Sequence, residues 1–394
     1  MRKTFKLFSF LALFAFAGSL TPVLAQTAAA TPAAAATPAP PAVVVGGYMD
    51  AYYTYDFTNS SKEVGGSGTG YFYNSADDSF TLGLAEAKVT ATQGPASAHL
   101  VLAYGEEASL GIAGSGFDVL QGYLSYTSGQ WTLNGGRFVT WLGDEVVESA
   151  SNWNYSHSLL FNYIPIWHTG VSVNWTPSTT FNATGYVVDG NNTTISSPDG
   201  KDFGLQLAIT PNSMWTITLN GLFGPEAGSS SGVGGYNNLG NMTDEGIFMF
   251  KPDSMWSFAL DAQYGMSSTP SGTSPSSTSY WGLALYGRDQ VSSDYAIAVR
   301  LEYVDDSGEL GVGQITSGTS PTSYTITPGS LMEGTLTIEH NLSANMLVRL
   351  EGRYDTNSEP TFASGSTSTT AQPLYALGNS TSEFTLTLGT MLSF

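Results

Sequence analysis

Residues 383–394 read EFTLTLGTMLSF, and taken two at a time they separate into two rows. One row is Phe384, Leu386, Leu388, Thr390, Leu392 and Phe394; the other is Glu383, Thr385, Thr387, Gly389, Met391 and Ser393. A period of two belongs to a β-strand, whose successive side chains point to opposite faces, so the stretch predicts a strand with one apolar face and one small or polar face. The template recurs from Val45 onward. Met49, Ala51, Tyr53, Tyr55 and Phe57 alternate with Asp50, Thr54 and Asp56, and Ala85, Ala87 and Val89 alternate with Glu86 and Lys88.

Composition narrows the class. Charged residues make up 11% of the chain, against ~25% in ordinary globular proteins. Gly (45), Tyr (21) and Phe (20) are plentiful. Mean hydropathy is near zero, too polar for a bundle of membrane helices but suited to alternating strands. With no cysteine, disulfides, thiolate metal sites and cysteine nucleophiles are excluded. Residues 1–25 read as a secretory signal: Arg2, Lys3 and Lys6, then an apolar run, then Val23, Leu24 and Ala25 before cleavage. Residues 26–42, QTAAATPAAAATPAPPA, form an Ala/Pro-rich segment with nothing to bury, expected to be a periplasmic linker. Removing the leader leaves nine Lys and Arg against 32 Asp and Glu, a balance that argues against nucleic acid as a partner.

Residues 43–394 hold about sixteen alternating runs, each near the ~9–11 residues of a tilted membrane-crossing strand. Tight turns with Pro, Asn, Asp and Ser, such as Thr176-Pro177-Ser178-Thr179 and Lys251-Pro252-Asp253-Ser254, follow the even-numbered runs. Long Ser-, Gly- and Thr-rich connections, among them residues 105–117, 142–167 and 265–279, follow the odd-numbered ones. The pattern predicts an all-β, transmembrane, antiparallel up-and-down barrel with long loops on one side and turns on the other. A soluble all-β fold is the alternative, but so many polar faces would not pack in a dry interior, whereas in a wide barrel they line water. Lys88, Arg300, Glu302, Glu333, Glu339, Arg349, Glu351 and Arg353 fall on the inner face so predicted.

The connection after the fifth strand differs in kind. Residues 136–171 read GRFVTWLGDEVVESASNWNYSHSLLFNYIPIWHTGV, and Trp141, Leu142, Val146, Val147, Trp153, Tyr155, Leu159, Leu160 and Phe161 need something to pack against. Folding inward supplies it. In Gly136-Arg137-Phe138, Gly143-Asp144-Glu145, Asn154-Tyr155-Ser156-His157-Ser158 and His168-Thr169-Gly170-Val171 the segment resembles the signature region of the OmpL-like outer-membrane β-barrel porin family. The closing strand with its aromatic Phe394 likewise resembles those that barrel-assembly machinery recognises. The resemblance implies a pore-forming barrel in the outer membrane of a Gram-negative bacterium.

The reading is therefore a porin, a water-filled channel for passive diffusion of small hydrophilic solutes and ions; adhesion or surface display is the alternative. Its constriction is expected at Arg137, Asp144, Glu145, Glu148, His157, Arg300, Glu302, Arg349, Glu351 and Arg353, with arginines on the wall facing loop acids across the lumen. Because acids outnumber bases there, weak cation selectivity is expected. Phe394 is the expected assembly signal. The partners expected are outer-membrane lipid, the assembly machinery, the solutes and two further copies in a homotrimer. Neither cofactor, metal site nor enzyme activity is expected: four scattered histidines lack ligand spacing, the Gly66-Ser67-Gly68-Thr69-Gly70 run lacks a following Lys, and no Ser/His/acid constellation stands out. Trp153, Tyr155 and Trp167 could stack sugars, but anchoring the loop is the simpler role.

Overall fold

Backbone pairing carries the alternation round a complete ring. The computed structural model describes residues 40–58, 73–74, 76–108, 116–195, 200–224, 241–271, 274–306, 329–359 and 380–394. The leader, residues 26–39 of the linker and the run at residues 66–70 lie outside these. Sixteen strands follow one another: β1 (Ala42–Asp56), β2 (Ser79–Gln93), β3 (Ala96–Tyr104), β4 (Phe117–Ser128), β5 (Trp131–Val139), β6 (Trp167–Ser178), β7 (Phe181–Val188), β8 (Asp202–Asn212), β9 (Trp215–Gly224), β10 (Asn241–Phe250), β11 (Trp256–Ser271), β12 (Ser274–Asp289), β13 (Tyr295–Asp305), β14 (Ser330–Asn341), β15 (Met346–Asn357) and β16 (Ser382–Ser393). Each pairs antiparallel with its sequence neighbours and β1 pairs with β16, so the sheet closes into a barrel without an edge.

Strand β16 takes the two rows to opposite sides. Phe384, Leu386, Leu388 and Leu392 are exposed on the outer face, and Glu383, Thr385, Thr387, Gly389 and Met391 are buried on the inner. On β13, Tyr295, Ile297, Val299 and Leu301 face out while Ala296, Ala298, Arg300 and Glu302 face in. An exterior of exposed Leu, Ile, Val and Phe is stable against hydrocarbon, since each such side chain gains ~1.5–3 kcal/mol on leaving water. Trp131, Trp175, Trp215, Trp256 and Tyr295 are exposed at the turn ends of their strands, where an interfacial aromatic belt would lie.

Prolines mark where pairing slips. The register of β6 with β7 shifts between Trp175 and Ser178, and that of β8 with β9 between Ile209 and Asn212, so Pro177 and Pro211 sit in bulges that excuse their missing N–H. One connection departs from expectation. Residues 265–279 were expected to be a long loop, but β11 and β12 stay paired to Ser271↔Ser274, joined by residues 272–273. Ladder bonds need only backbone, so Ser and Thr extend the hairpin without an apolar face to guide it.

At the closing seam the register runs from Tyr48↔Ser393 to Asp56↔Thr385. Gly47 N–H donates to the Phe394 carbonyl at 2.8 Å, and Phe394 N–H donates back to the Gly47 carbonyl at 3.0 Å. The Phe394 ring lies over Gly47: a Cβ there would stand 2.5 Å from Cζ and 2.8 Å from the Glu86 carbonyl oxygen of β2, so a larger residue would have to move both the ring and the neighbouring strand.

Candidate functional site

Between β5 and β6 the chain leaves the wall for residues 140–166, and Thr140 N–H donating to the Ile166 carbonyl at 2.9 Å pinches the base. The segment has no alternation and forms 3₁₀ turns at Ser149–Ser151 and Leu160–Tyr163. Trp141, Leu142, Val147, Tyr155, Leu159, Leu160 and Phe161 are buried, whereas Val146 is 44% exposed. Inward-facing glycines of the wall receive the largest of them. Trp141, stacked on Tyr186 with centroids 3.9 Å apart, fills the space where a Cβ of Gly204 would stand; Leu160 does so at Gly282 and Tyr155 at Gly389. Those glycines lie on β8, β12 and β16, four, four and eight strands apart round the ring, so the loop reaches the wall at three separate places.

A buried loop must find partners for its backbone, and charged side chains of the wall supply them. Glu351 accepts from Tyr155 N–H (2.6 Å) and Ser156 N–H (2.9 Å), Glu302 from Leu159 N–H (2.9 Å) and Leu160 N–H (3.2 Å), and Glu245 from Gly143 N–H (2.9 Å). Arginines take the carbonyls. Arg349 donates to Ser149 (2.6 Å), Asn152 (2.6 Å) and Asn154 (2.9 Å), Arg300 to Ser156 (2.6 Å) and His157 (3.2 Å), and Arg353 to His157 (2.6 Å). Ionised partners make these stronger than ordinary hydrogen bonds.

The same side chains pair with one another. Arg300 lies 2.8 Å from Glu145, 3.0 Å from Glu302 and 3.1 Å from Glu333; Arg349 is 2.7 Å from Glu339, which also holds Arg288 at 2.8 Å; Arg353 is 2.8 Å from Asp355. This corrects the expected geometry. The arginines do not face loop acids across water, because the loop lies on them and Glu145 is in direct contact with Arg300. Charges so paired cast little field into the lumen.

Glu145, His157, Arg300, Glu302, Arg349, Glu351 and Arg353 thus meet in one buried cluster, and Arg137, Asp144 and Glu148 stand outside it. Glu148 pairs with Lys88 of β2 at 2.6 Å. Arg137 is held by Asp118 of β4 and lies 3.5 Å from the Trp167 ring; its strand, β5, is eight strands round the ring from β13. Asp144 is half-buried at the loop's edge, its pKa pushed up to about 7 by burial first and by Glu145 and Glu245 next. His157 is buried and Nε2 donates to the Val146 carbonyl at 2.8 Å; burial lowers its pKa, which keeps the ring neutral.

The opposite arc of the wall, β4 to β9, carries amides and hydroxyls where β13 to β15 carry charge. Thr132, Asn174, Thr184, Gln206 and Asn220 are direct cross-strand partners on five successive strands. Asn174 donates to Thr184 (2.7 Å) and Asn182 (2.8 Å), Gln206 to Asn220 (3.1 Å), and beside this row Asn134 donates to Ser172 (3.0 Å). Ser125, Asn134, Asn174, Asn182 and Gln206 are half-buried, whereas the inner positions of β16 from Glu383 to Met391 are nearly all buried. The signal was available: inner-face positions holding Asn, Gln, Ser and Thr in place of charge.

Residues 42–394 match the family described as "Putative beta-barrel porin-2, OmpL-like". No curated protein matches the chain. Among solved structures it is similar to an anion-selective porin from Comamonas acidovorans (TM-score 0.59, 14% identity, 90% of this chain and 100% of that one). It is similar also to a trimer form of OmpT from Vibrio cholerae (0.57, 10%, 90% and 100%) and to the outer-membrane channel DcaP of Acinetobacter baumannii (0.56, 10%, 90% and 98%). At these identities the likeness is one of fold.

Proposed function

The chain belongs to the OmpL-like β-barrel porin family and is a multi-pass barrel of the bacterial outer membrane, and on that premise we propose that it passes small hydrophilic solutes and ions by passive diffusion. The observation that carries this is the pairing of an apolar exterior with an inner arc, β4 to β9, on which Ser125, Asn134, Asn174, Asn182 and Gln206 stay half-exposed inside a closed wall. Residues 140–166, which touch the arc chiefly through Trp141 at Tyr186, Gly204 and Gln206 and lie for the most part against other strands, form the constriction of this proposal. Weak cation preference is proposed with it, on a basis different from a transverse field. The wall arginines are taken up by ion pairs, while Asp144 at the loop's edge is in no ion pair among the described residues, and acids exceed bases in the chain as a whole. One of the similar proteins is anion-selective, so sign is a property of each chain's charges and not of the fold.

Planar-bilayer recordings in a potassium chloride gradient test both parts. Stepwise conductance with a small reversal potential favouring potassium is expected; an inserted barrel without conductance refutes the channel, and preference for chloride refutes the sign. The trimer form of the similar OmpT supports a homotrimer for this chain too, tested by cross-linking in membranes. Recognition by barrel-assembly machinery through β16 and Phe394 completes the proposal.

A further inference from the structure

We infer that the solutes this lumen favours are uncharged and polyhydroxylated, of the sugar or polyol class, an inference that rests on the channel reading above and deepens it. Between the short-turn end and the opposite rim, the described residues of β4 to β9 hold neither carboxylate, ammonium nor guanidinium. The charged residues of these strands are Asp118, Arg137 and Asp202, close to the rim, with Arg137 and Asp118 in an ion pair and Asp202 buried. Charge is gathered on the far side. On β13 to β15, Arg300, Glu302, Glu333, Glu339, Arg349, Glu351, Arg353 and Asp355 all face inward and all are buried, beneath the loop or in ion pairs with one another.

Water along this arc therefore meets amides and hydroxyls, while further partly exposed charges, among them Lys88 with Glu148, Arg288 with Glu339, and Asp144, lie on other strands and the loop. Asn and Gln side chains offer both donors and an acceptor, and Ser and Thr hydroxyls do the same, which complements a solute whose every hydroxyl donates and accepts. A carboxylate or ammonium solute entering this arc sheds hydration and finds no counter-charge to replace it, the condition under which a confined charge is disfavoured. The side chains are also held in place: Asn174 bonds Asn182 and Thr184, and Asn134 bonds Ser172, so they present fixed groups to the passing solute.

Liposome swelling with the full-length protein decides it, using glucose against its similarly sized charged relatives gluconate and glucosamine. Glucose is expected to enter about tenfold faster than either, the effect of about one unreplaced hydrogen-bond or charge contact. Asn134→Asp and Asn182→Asp, each checked for heat-modifiable migration on gels, should speed glucosamine severalfold and slow glucose modestly, since each loses an amide donor of the row, so that the glucose-to-glucosamine ratio falls. Charged relatives entering as fast as glucose in the wild type would overturn the solute class and leave the channel standing. A correctly inserted barrel that admits none of the three and conducts no ions would overturn the channel reading and this inference with it.

Discussion

Replacing Arg349 with Met asks whether the wall arginines are tethers or pore charges. The guanidinium is 2% exposed and donates to three loop carbonyls, those of Ser149, Asn152 and Asn154, and to Glu339. Methionine fills part of the space and donates nothing. Glu339 keeps Arg288 at 2.8 Å and the Ser149 carbonyl keeps the Asn152 N–H at 3.1 Å, so the loss falls on the carbonyls of Asn152 and Asn154. At ~1–2 kcal/mol for each of the two buried acceptors left unsatisfied, loop docking weakens by ~2–4 kcal/mol, a factor of ~30 to 10³ in the ratio of docked to undocked states. The ladder of sixteen strands is untouched. Single-channel records of Arg349→Met should show higher conductance with flicker between levels, while heat-modifiable migration on gels stays normal. A steady conductance equal to wild type, with a reversal potential moved toward cations, would refute the tether and restore Arg349 as a charge lining the pore.

Deleting Phe394 removes its N–H and carbonyl bonds to Gly47 and the ring packed over that glycine, so the inserted fraction, read by heat-modifiable migration on gels, should fall severalfold. Asp144 is protonated below and ionised above about pH 7. Its raised pKa means that loop docking is favoured on the acid side and loses that contribution as pH rises through about 7. Cation preference should therefore grow between pH 6 and 8, and Asp144→Asn should flatten the reversal potential across that range. Deleting residues 146–153 should raise conductance, and because it strips Arg349 of two carbonyl partners, it should also lower the temperature at which the barrel unfolds on gels, an effect that Arg349→Met in the same background relieves.

The barrel was legible because alternation acts locally. Each of Phe384, Leu386 and Leu388 declares its face from its own position, and closure follows once β16 and β1 share the pattern. The inner face of Arg300, Arg349 and Arg353 was legible for the same reason. What came to lie against them was not, since the partners are carbonyls of Ser149, Asn154 and His157, and a carbonyl looks alike in every residue. Gly204, Gly282 and Gly389 passed as ordinary strand glycines until Trp141, Leu160 and Tyr155 filled the space above them. Residues 265–279 misled through composition, because Ser, Thr and Pro suggest a loop where β11 and β12 stay in register as far as Ser271↔Ser274.

The loop's anchors also set an order of events. Ser149 waits for Arg349, 200 residues later in the chain, and Tyr155 waits for Glu351, so docking must follow arrival of the last hairpin however early β5 and β6 are made. Such distant closures are slow steps in folding. They are also selective: a one-residue slip of β15 would turn Arg349, Glu351 and Arg353 out toward hydrocarbon and leave the loop with nothing to hold. A nascent barrel that reaches the docked state has thereby had its final strands checked for alignment from within.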